Sequence, residues 1–182
     1  QYTDNSGNDW SLTRQGGFGN YAYITADSPY TIDPTVGWSA DTNSGSVFKS
    51  SSSYLTVGSN DPGNFGGRNF TVEFWAKFFS DQTETGIICK GTSGGGTWTL
   101  YQYPSRCLTW GVPFVSNDLT TGVVITLGQW HHIAVTRSSD NLQIFVDGIS
   151  RASLGEYGTG LGTAASPIYV GRNHSSTVGF SG

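Results

Sequence analysis

Apolar and polar positions alternate with period two through most of this chain. In residues 70–78 (FTVEFWAKF), Phe70, Val72, Phe74, Ala76 and Phe78 fall on one face and Thr71, Glu73, Trp75 and Lys77 on the other. That pattern marks a half-buried strand. Helical periodicity is nowhere comparable. The same reading predicts strands at 46–49, 54–57, 86–90, 97–103, 107–112, 122–127, 131–137, 142–147, 149–154 and 167–171, separated by turns rich in Gly, Ser, Asn and Asp. Many short strands with Gly-rich turns indicate an all-β antiparallel sandwich or barrel. Residues 11–45 depart from the pattern: they are polar, Gly-rich and aromatic, with weak strand signals. They read as long loops packed by their own aromatics.

Composition narrows the picture. The 182 residues include 6 Trp, 9 Tyr and 10 Phe, enough for one domain (1–182) with a substantial core. Charge is sparse, with 9 Lys and Arg against 13 Asp and Glu and a net of −4. No basic run supplies the footprint that nucleic acid or anionic lipid requires, so neither is expected as a partner. No stretch approaches the roughly 18 apolar residues of a spanning helix, so no membrane insertion is expected. The chain opens on Gln1 without a basic start and apolar run, and is expected to be a processed product or a fragment.

Two of the three histidines are adjacent, in the run Trp130-His131-His132. Ile133 and Val135 define the inward face of this strand, so His131 and Arg137 share that face while His132 lies with Trp130, Ala134 and Thr136. Neighbouring strand residues point to opposite sides, so the two rings are not expected to chelate one ion. The strand returns through a turn as 141–148 (NLQIFVDG), with Leu142, Ile144 and Val146 inward and Asp147-Gly148 opening the next hairpin. Cys89 and Cys107 lack zinc-ligand spacing. Asn69-Phe-Thr71 and Asn173-His-Ser175 fit the glycosylation acceptor pattern, which arises often by chance in a Ser- and Thr-rich chain.

The run 127–154 (LGQWHHIAVTRSSDNLQIFVDGISRASL), followed by 166–173 (SPIYVGRN) and 178–182 (VGFSG), resembles the C-terminal half of laminin G-like jelly rolls in the concanavalin A-like lectin/glucanase superfamily. Upstream, 4–9 (DNSGND), 45–57 (GSVFKSSSSYLTV) and 69–78 (NFTVEFWAKF) resemble the same family's opening pattern in the same order. The resemblance implies an antiparallel two-sheet jelly-roll sandwich serving as a carbohydrate-binding or adhesion module of an extracellular or virion-surface protein. It also implies a closing strand after Gly182, which makes a neighbouring chain or oligomer a candidate partner. Calcium is the cofactor the resemblance suggests, with Asp4 and Asn8 as ligands. A polar turn capped by Asp is the competing account of that segment.

Glucanases of the superfamily place paired acids on one strand face, about 5–5.5 Å apart. No such run occurs here: Glu73 stands alone in its strand, and Asp81 and Glu84 fall in a loop. A non-catalytic module is therefore expected, with a glycoside hydrolase as the lesser alternative. The meander 86–112 suggests where a ligand would sit. Pairing Cys89 with Thr99, Ile88 with Leu100, Tyr101 with Cys107, Leu100 with Leu108 and Trp98 with Trp110 puts both tryptophans and the leucines on the core face. The opposite face then collects Thr99, Tyr101, Tyr103 and Thr109, a hydroxyl-rich aromatic surface suited to stacking a sugar ring. Trp75 is the candidate addition to it. An ordinary solvent-facing sheet with Thr and Tyr for their strand propensity is the alternative. Cys89 and Cys107 share that face two strands apart, about 9–10 Å, beyond the roughly 7 Å a bridge allows, so both are expected to be free thiols. The functional expectation is glycan recognition at a cell surface; the rival is a purely structural decoration or appendage domain.

Overall fold

The computed structural model describes residues 12–15, 23–25, 45–47, 54–58, 63–81, 85–91, 97–103, 105–112, 118–155, 161, 164–173 and 179–182. Among these described residues thirteen strands follow in order: β1 Leu12–Gln15, β2 Tyr23–Thr25, β3 Gly45–Val47, β4 Tyr54–Val57, β5 Phe70–Lys77, β6 Thr85–Lys90, β7 Trp98–Tyr103, β8 Cys107–Gly111, β9 Leu119–Thr120, β10 Trp130–Ser138, β11 Asn141–Val146, β12 Ile149–Leu154 and β13 Ile168–Val170. They form an antiparallel seven-stranded sheet, β1-β4-β13-β6-β7-β8-β9, a four-stranded sheet, β12-β11-β10-β5, and the pair β2-β3. There is no helix among the described residues. The expected jelly-roll sandwich is what the chain folds into.

The core lies between the two larger sheets. β5, β10 and β11 supply Phe70, Ala76, Ile133, Val135, Leu142, Ile144 and Val146; the larger sheet answers with Leu55, Trp98, Leu100, Leu108, Trp110 and Leu119. Trp98 and Trp110 stack at 5.0 Å between ring centroids, and Phe70 of β5 reaches across the sandwich to stack on Trp110 at 5.6 Å. Burying these large rings removes apolar area from water and ties the two sheets together.

Alternation decides which side chains enter this core. Along β10 the pattern runs His131, Ile133, Val135 and Arg137 inward, with His132 and Thr136 less buried on the other face. Lys90 also points inward, paired with Trp98; it is buried, and its ammonium donates to the Ser166 carbonyl. A buried lysine in a strand with an apolar pattern is tolerated because that acceptor is at hand.

Three details differ from expectation. The β7–β8 hairpin pairs Tyr103 with Cys107, Tyr101 with Thr109 and Leu100 with Trp110, a two-residue slip from the predicted register. Ser105 and Arg106 both adopt left-handed backbone, φ 76° and 62°, and the Arg106 amide bonds the Tyr103 carbonyl at 3.1 Å, which closes a tighter turn than the pattern implied. Because the slip is even, every side chain keeps its face. Residues 122–127 form no strand. Thr121 Oγ1 accepts the Leu108 amide and the Thr121 amide bonds the Leu108 carbonyl, so pairing with β8 stops at Leu119–Thr120. Within 11–45, β1 pairs with β4 and β2 with β3. Pairing partners distant in sequence override weak local propensity there.

Residues 179–182 lie where the two sheets meet. Gly179 bridges Gly86 and Arg172, and Phe79 donates to the Ser181 carbonyl at 2.9 Å. Phe180 meets Phe78 edge-on at 5.1 Å. Gly86 makes this docking feasible: a Cβ there would stand 1.8 Å from the Asn173 nitrogen.

Candidate binding site

The outer face of the seven-stranded sheet carries the expected Thr and Tyr residues together. Direct pairing sets Tyr101 beside Thr109 and Tyr103 beside Cys107, while Thr99 faces Gly111. Burial divides them. Thr99 and Thr109 are 2% and 1% exposed, and the Thr109 hydroxyl is spent on Thr120 Oγ1 at 2.9 Å. Neither threonine is open to a ligand. Tyr103 is 45% exposed and Tyr101 is half-buried; their ring centroids are 6.1 Å apart with planes at 59°.

A residue that the pattern did not single out completes this face. Asp118 precedes β9, and its Oδ2 accepts the Tyr101 hydroxyl at 2.8 Å. A Cβ on Gly111 would meet Asp118 Oδ1 at 2.7 Å, so the carboxylate lies over that glycine. Glycine inside a strand often marks such a close approach, and Gly111 was the signal in the sequence that something packs there. The arrangement offers an exposed aromatic ring, a phenol fixed by its hydroxyl, and an exposed carboxylate that accepts hydrogen bonds.

Trp75 is not part of this face. It sits on the outer side of the four-stranded sheet, opposite His132, and so looks away from Tyr101 and Tyr103 across the whole sandwich. Strand alternation could place Trp75 on the outside but could not say which outside. Its ring lies 5.3 Å from the His132 ring, tilted by 56°, and His132 Nε2 is 3.6 Å from Glu73 Oε2.

The adjacent histidines divide as expected, with different surroundings. His131 is buried; its Nδ1 lies 2.8 Å from Asp147 Oδ2 and its Nε2 3.2 Å from the Thr126 carbonyl. Asp147 Oδ1 also accepts the His132 amide at 2.9 Å. Burial acts to raise the Asp147 carboxyl, but the hydrogen bonds from His131 and the His132 amide, with the charge of the two imidazoles, outweigh it and hold the group below its ordinary value. The role of His131 here is to anchor a hairpin. No group of three His, Cys, Asp or Glu among the described residues could hold a metal ion.

Cys89 and Cys107 are free thiols, as the strand separation required. Burial pushes Cys89 up to about 12, against the opposing charge of Arg172. Arg172 itself is held between Tyr54 and Tyr169, 4.7 Å from each ring centroid, a geometry in which both aromatic faces stabilise the cation. Of the two acceptor triplets, Asn173 is buried, whereas Asn69 is exposed with its Oδ1 accepting the Ser139 amide at 2.7 Å. The proposed calcium ligands Asp4 and Asn8 lie outside the described residues.

Residues 49–182 match the laminin G type 3 family of the concanavalin A-like lectin/glucanases superfamily. No curated protein sequence matches the chain. Among solved structures it is similar to the binding domain of Paraclostridial Mosquitocidal Protein 1, with TM-score 0.68 and 18% identity over 97% of this chain and 43% of that one. It is equally similar to domain 4 of AbnA, a GH43 extracellular arabinanase from Geobacillus stearothermophilus in complex with arabinotriose, with TM-score 0.68 and 16% identity over 99% of this chain and 82% of that one. The binding domain of botulinum neurotoxin DC in complex with SialylT follows at TM-score 0.59 and 14% identity, over 93% and 40% of the two chains. The chain thus spans less than half the length of the two toxin domains. At these identities the likeness concerns the fold.

Proposed function

Because the chain belongs to the concanavalin A-like lectin/glucanase superfamily, we propose that it is a non-catalytic module that binds carbohydrate through the Tyr101–Tyr103–Asp118 face. The observation that carries this reading is the exposed Tyr103 ring next to a Tyr101 whose hydroxyl is held 2.8 Å from Asp118. A sugar ring stacks on the tyrosine while its hydroxyls donate to the carboxylate. Structural relatives solved with arabinotriose and SialylT support carbohydrate as the ligand class.

A further point favours binding over hydrolysis. Glycoside hydrolysis needs two carboxyl groups about 5–9.5 Å apart across one sugar. Asp118 and Glu73 stand on opposite outer faces of the sandwich, where they cannot share a substrate. We place the module on an extracellular or virion-surface protein, with a cell-surface glycoconjugate as partner and calcium, held by Asp4 and Asn8, as cofactor, on the strength of family resemblance.

The test is a glycan array probed with calcium and again with chelator, using wild type, Tyr103→Ala and Asp118→Asn. A sugar signal that falls about five- to tenfold in both variants, in line with roughly 1 kcal/mol per contact, supports the reading. A folded wild-type protein that binds no glycan in either condition overturns it in favour of a structural module.

A further inference from the structure

The outer face of the four-stranded sheet holds an arrangement that the Tyr101–Tyr103 face does not use. Trp75 keeps 40% of its surface exposed even with the His132 ring beside it at 5.3 Å. Glu73, two residues earlier on the same face, reaches His132 Nε2 at 3.6 Å. From there the face grades into hydroxyl and amide groups. Thr71 pairs with Thr136, and Thr136 with Gln143; Gln143 Nε2 donates to Ser150 Oγ at 3.3 Å. Ala134 separates Glu73 from Phe145 and keeps the floor between them low.

The chemistry of this surface selects among occupants. A protein partner usually needs a contiguous apolar patch of several hundred Å². Among the described residues Trp75 is the one exposed large apolar side chain on this face: Ile149 pairs with inward Val146, and Phe79 lies past the end of β5. A metal would need donors beyond Glu73 and His132, and no group of three is present among the described residues. Nucleic acid would meet a carboxylate on a chain of net charge −4. An oligosaccharide fits: its ring has an apolar C–H face for the indole and a rim of hydroxyls for carboxylate, imidazole and amide.

We propose that Trp75, His132 and Glu73 form a second carbohydrate site for a neutral oligosaccharide, separate from the tyrosine face and resting on the same reading of the chain as a carbohydrate-binding module. The indole stacks a sugar ring, Glu73 accepts its hydroxyls, and the chain of sugars runs across β10 and β11 toward Gln143. Four strands at about 4.8 Å spacing give roughly 14 Å of surface, room for more than one sugar unit. The two sites face opposite directions, so one molecule can bridge two separate glycan chains.

The experiment is an amide and indole NMR titration of the 182-residue protein with arabinotriose, xylotriose, cellotriose and chitotriose, each to about 10 mM, where millimolar affinity is still visible. Expected is a saturable shift of the Trp75 indole N–H and the His132 amide with at least one probe. Trp75→Ala should abolish the shift of the His132 amide and leave shifts around Tyr103 in place; Trp75→Phe should restore part of the His132 shift; Tyr103→Ala should leave the Trp75 and His132 shifts unchanged. Trp75 lies on the surface, and native peak dispersion in each variant verifies folding. Binding that depends on Tyr103 while Trp75 and His132 stay unmoved overturns the second site alone. Ligand-induced shifts at His132 and its neighbours on β10 and β11 that survive Trp75→Ala overturn it as well. No shift anywhere overturns both sites.

Discussion

Asp147 ties two neighbouring strands together at one end of the smaller sheet: one carboxylate oxygen lies 2.8 Å from His131 Nδ1 and the other accepts the His132 amide at 2.9 Å. The hairpin turn after β11 is thereby fixed to the start of β10. The carboxyl is held below its ordinary value, so the charged form stabilises the fold above the usual carboxylate pKa of about 3.9, and that contribution is lost as pH falls through the lower, folded-state value. Asp147 has φ 54°, which asparagine also adopts readily. Asp147→Asn therefore removes charge without backbone strain. It should cost about 1 kcal/mol near pH 6, discounted because the carboxylate is half exposed. Denaturant unfolding of both proteins at pH 6 and pH 3 should show the gap closing in acid.

The stacked tryptophans differ in one respect that substitution can separate. Trp98 Nε1 donates to the Gly63 carbonyl at 2.8 Å. Trp110 Nε1 is buried with no hydrogen-bond partner among the described residues. Both lose comparable ring area on change to Phe, but only Trp98→Phe also orphans an acceptor, whereas Trp110→Phe removes an unsatisfied donor. Trp98→Phe should be the more destabilising by about 1–2 kcal/mol, read from denaturant midpoints at constant slope.

Gly86 tolerates no side chain. A Cβ would lie 1.8 Å from the Asn173 nitrogen and 2.1 Å from the Arg172 carbonyl carbon, both backbone atoms that cannot rotate away. Gly86→Ala should cost about 3 kcal/mol and loosen the segment bridged through Gly179. Thermal unfolding reports the cost, and amide exchange at Gly171 and Phe180 reports the local release.

The two thiols should react at different rates. Cys89 is buried and pushed up to about 12, so almost none is thiolate at neutral pH. Cys107 is only partly buried. A chromogenic disulfide reagent at pH 8 should modify one thiol per native chain, at Cys107, and two after unfolding. Prompt modification of Cys89 in the native protein would contradict the burial.

The faces of the strands were legible because alternation is a local property. Trp98 and Trp110 inward and His131 opposite His132 follow from residue parity, the cysteines stay unbridged because a strand stands between theirs, and the two-residue slip between β7 and β8 left all of this intact. The burial of Lys90 was not legible, since its acceptor, the Ser166 carbonyl, comes from a distant part of the chain. Thr99 and Thr109 showed their face in the sequence but not their inaccessibility.

What the sequence determined by itself was the class of fold and which side chains share a face, since both depend on neighbours two residues apart. Only the tertiary structure decided which strands distant in sequence stand side by side. It inserted β13 between β4 and β6, set Asp118 over Gly111, and sent Trp75 and Tyr103 to opposite sides of the molecule. Those outcomes depend on long-range pairing, whose energy comes from burying rings such as Phe70 and Trp110 against each other across the sandwich.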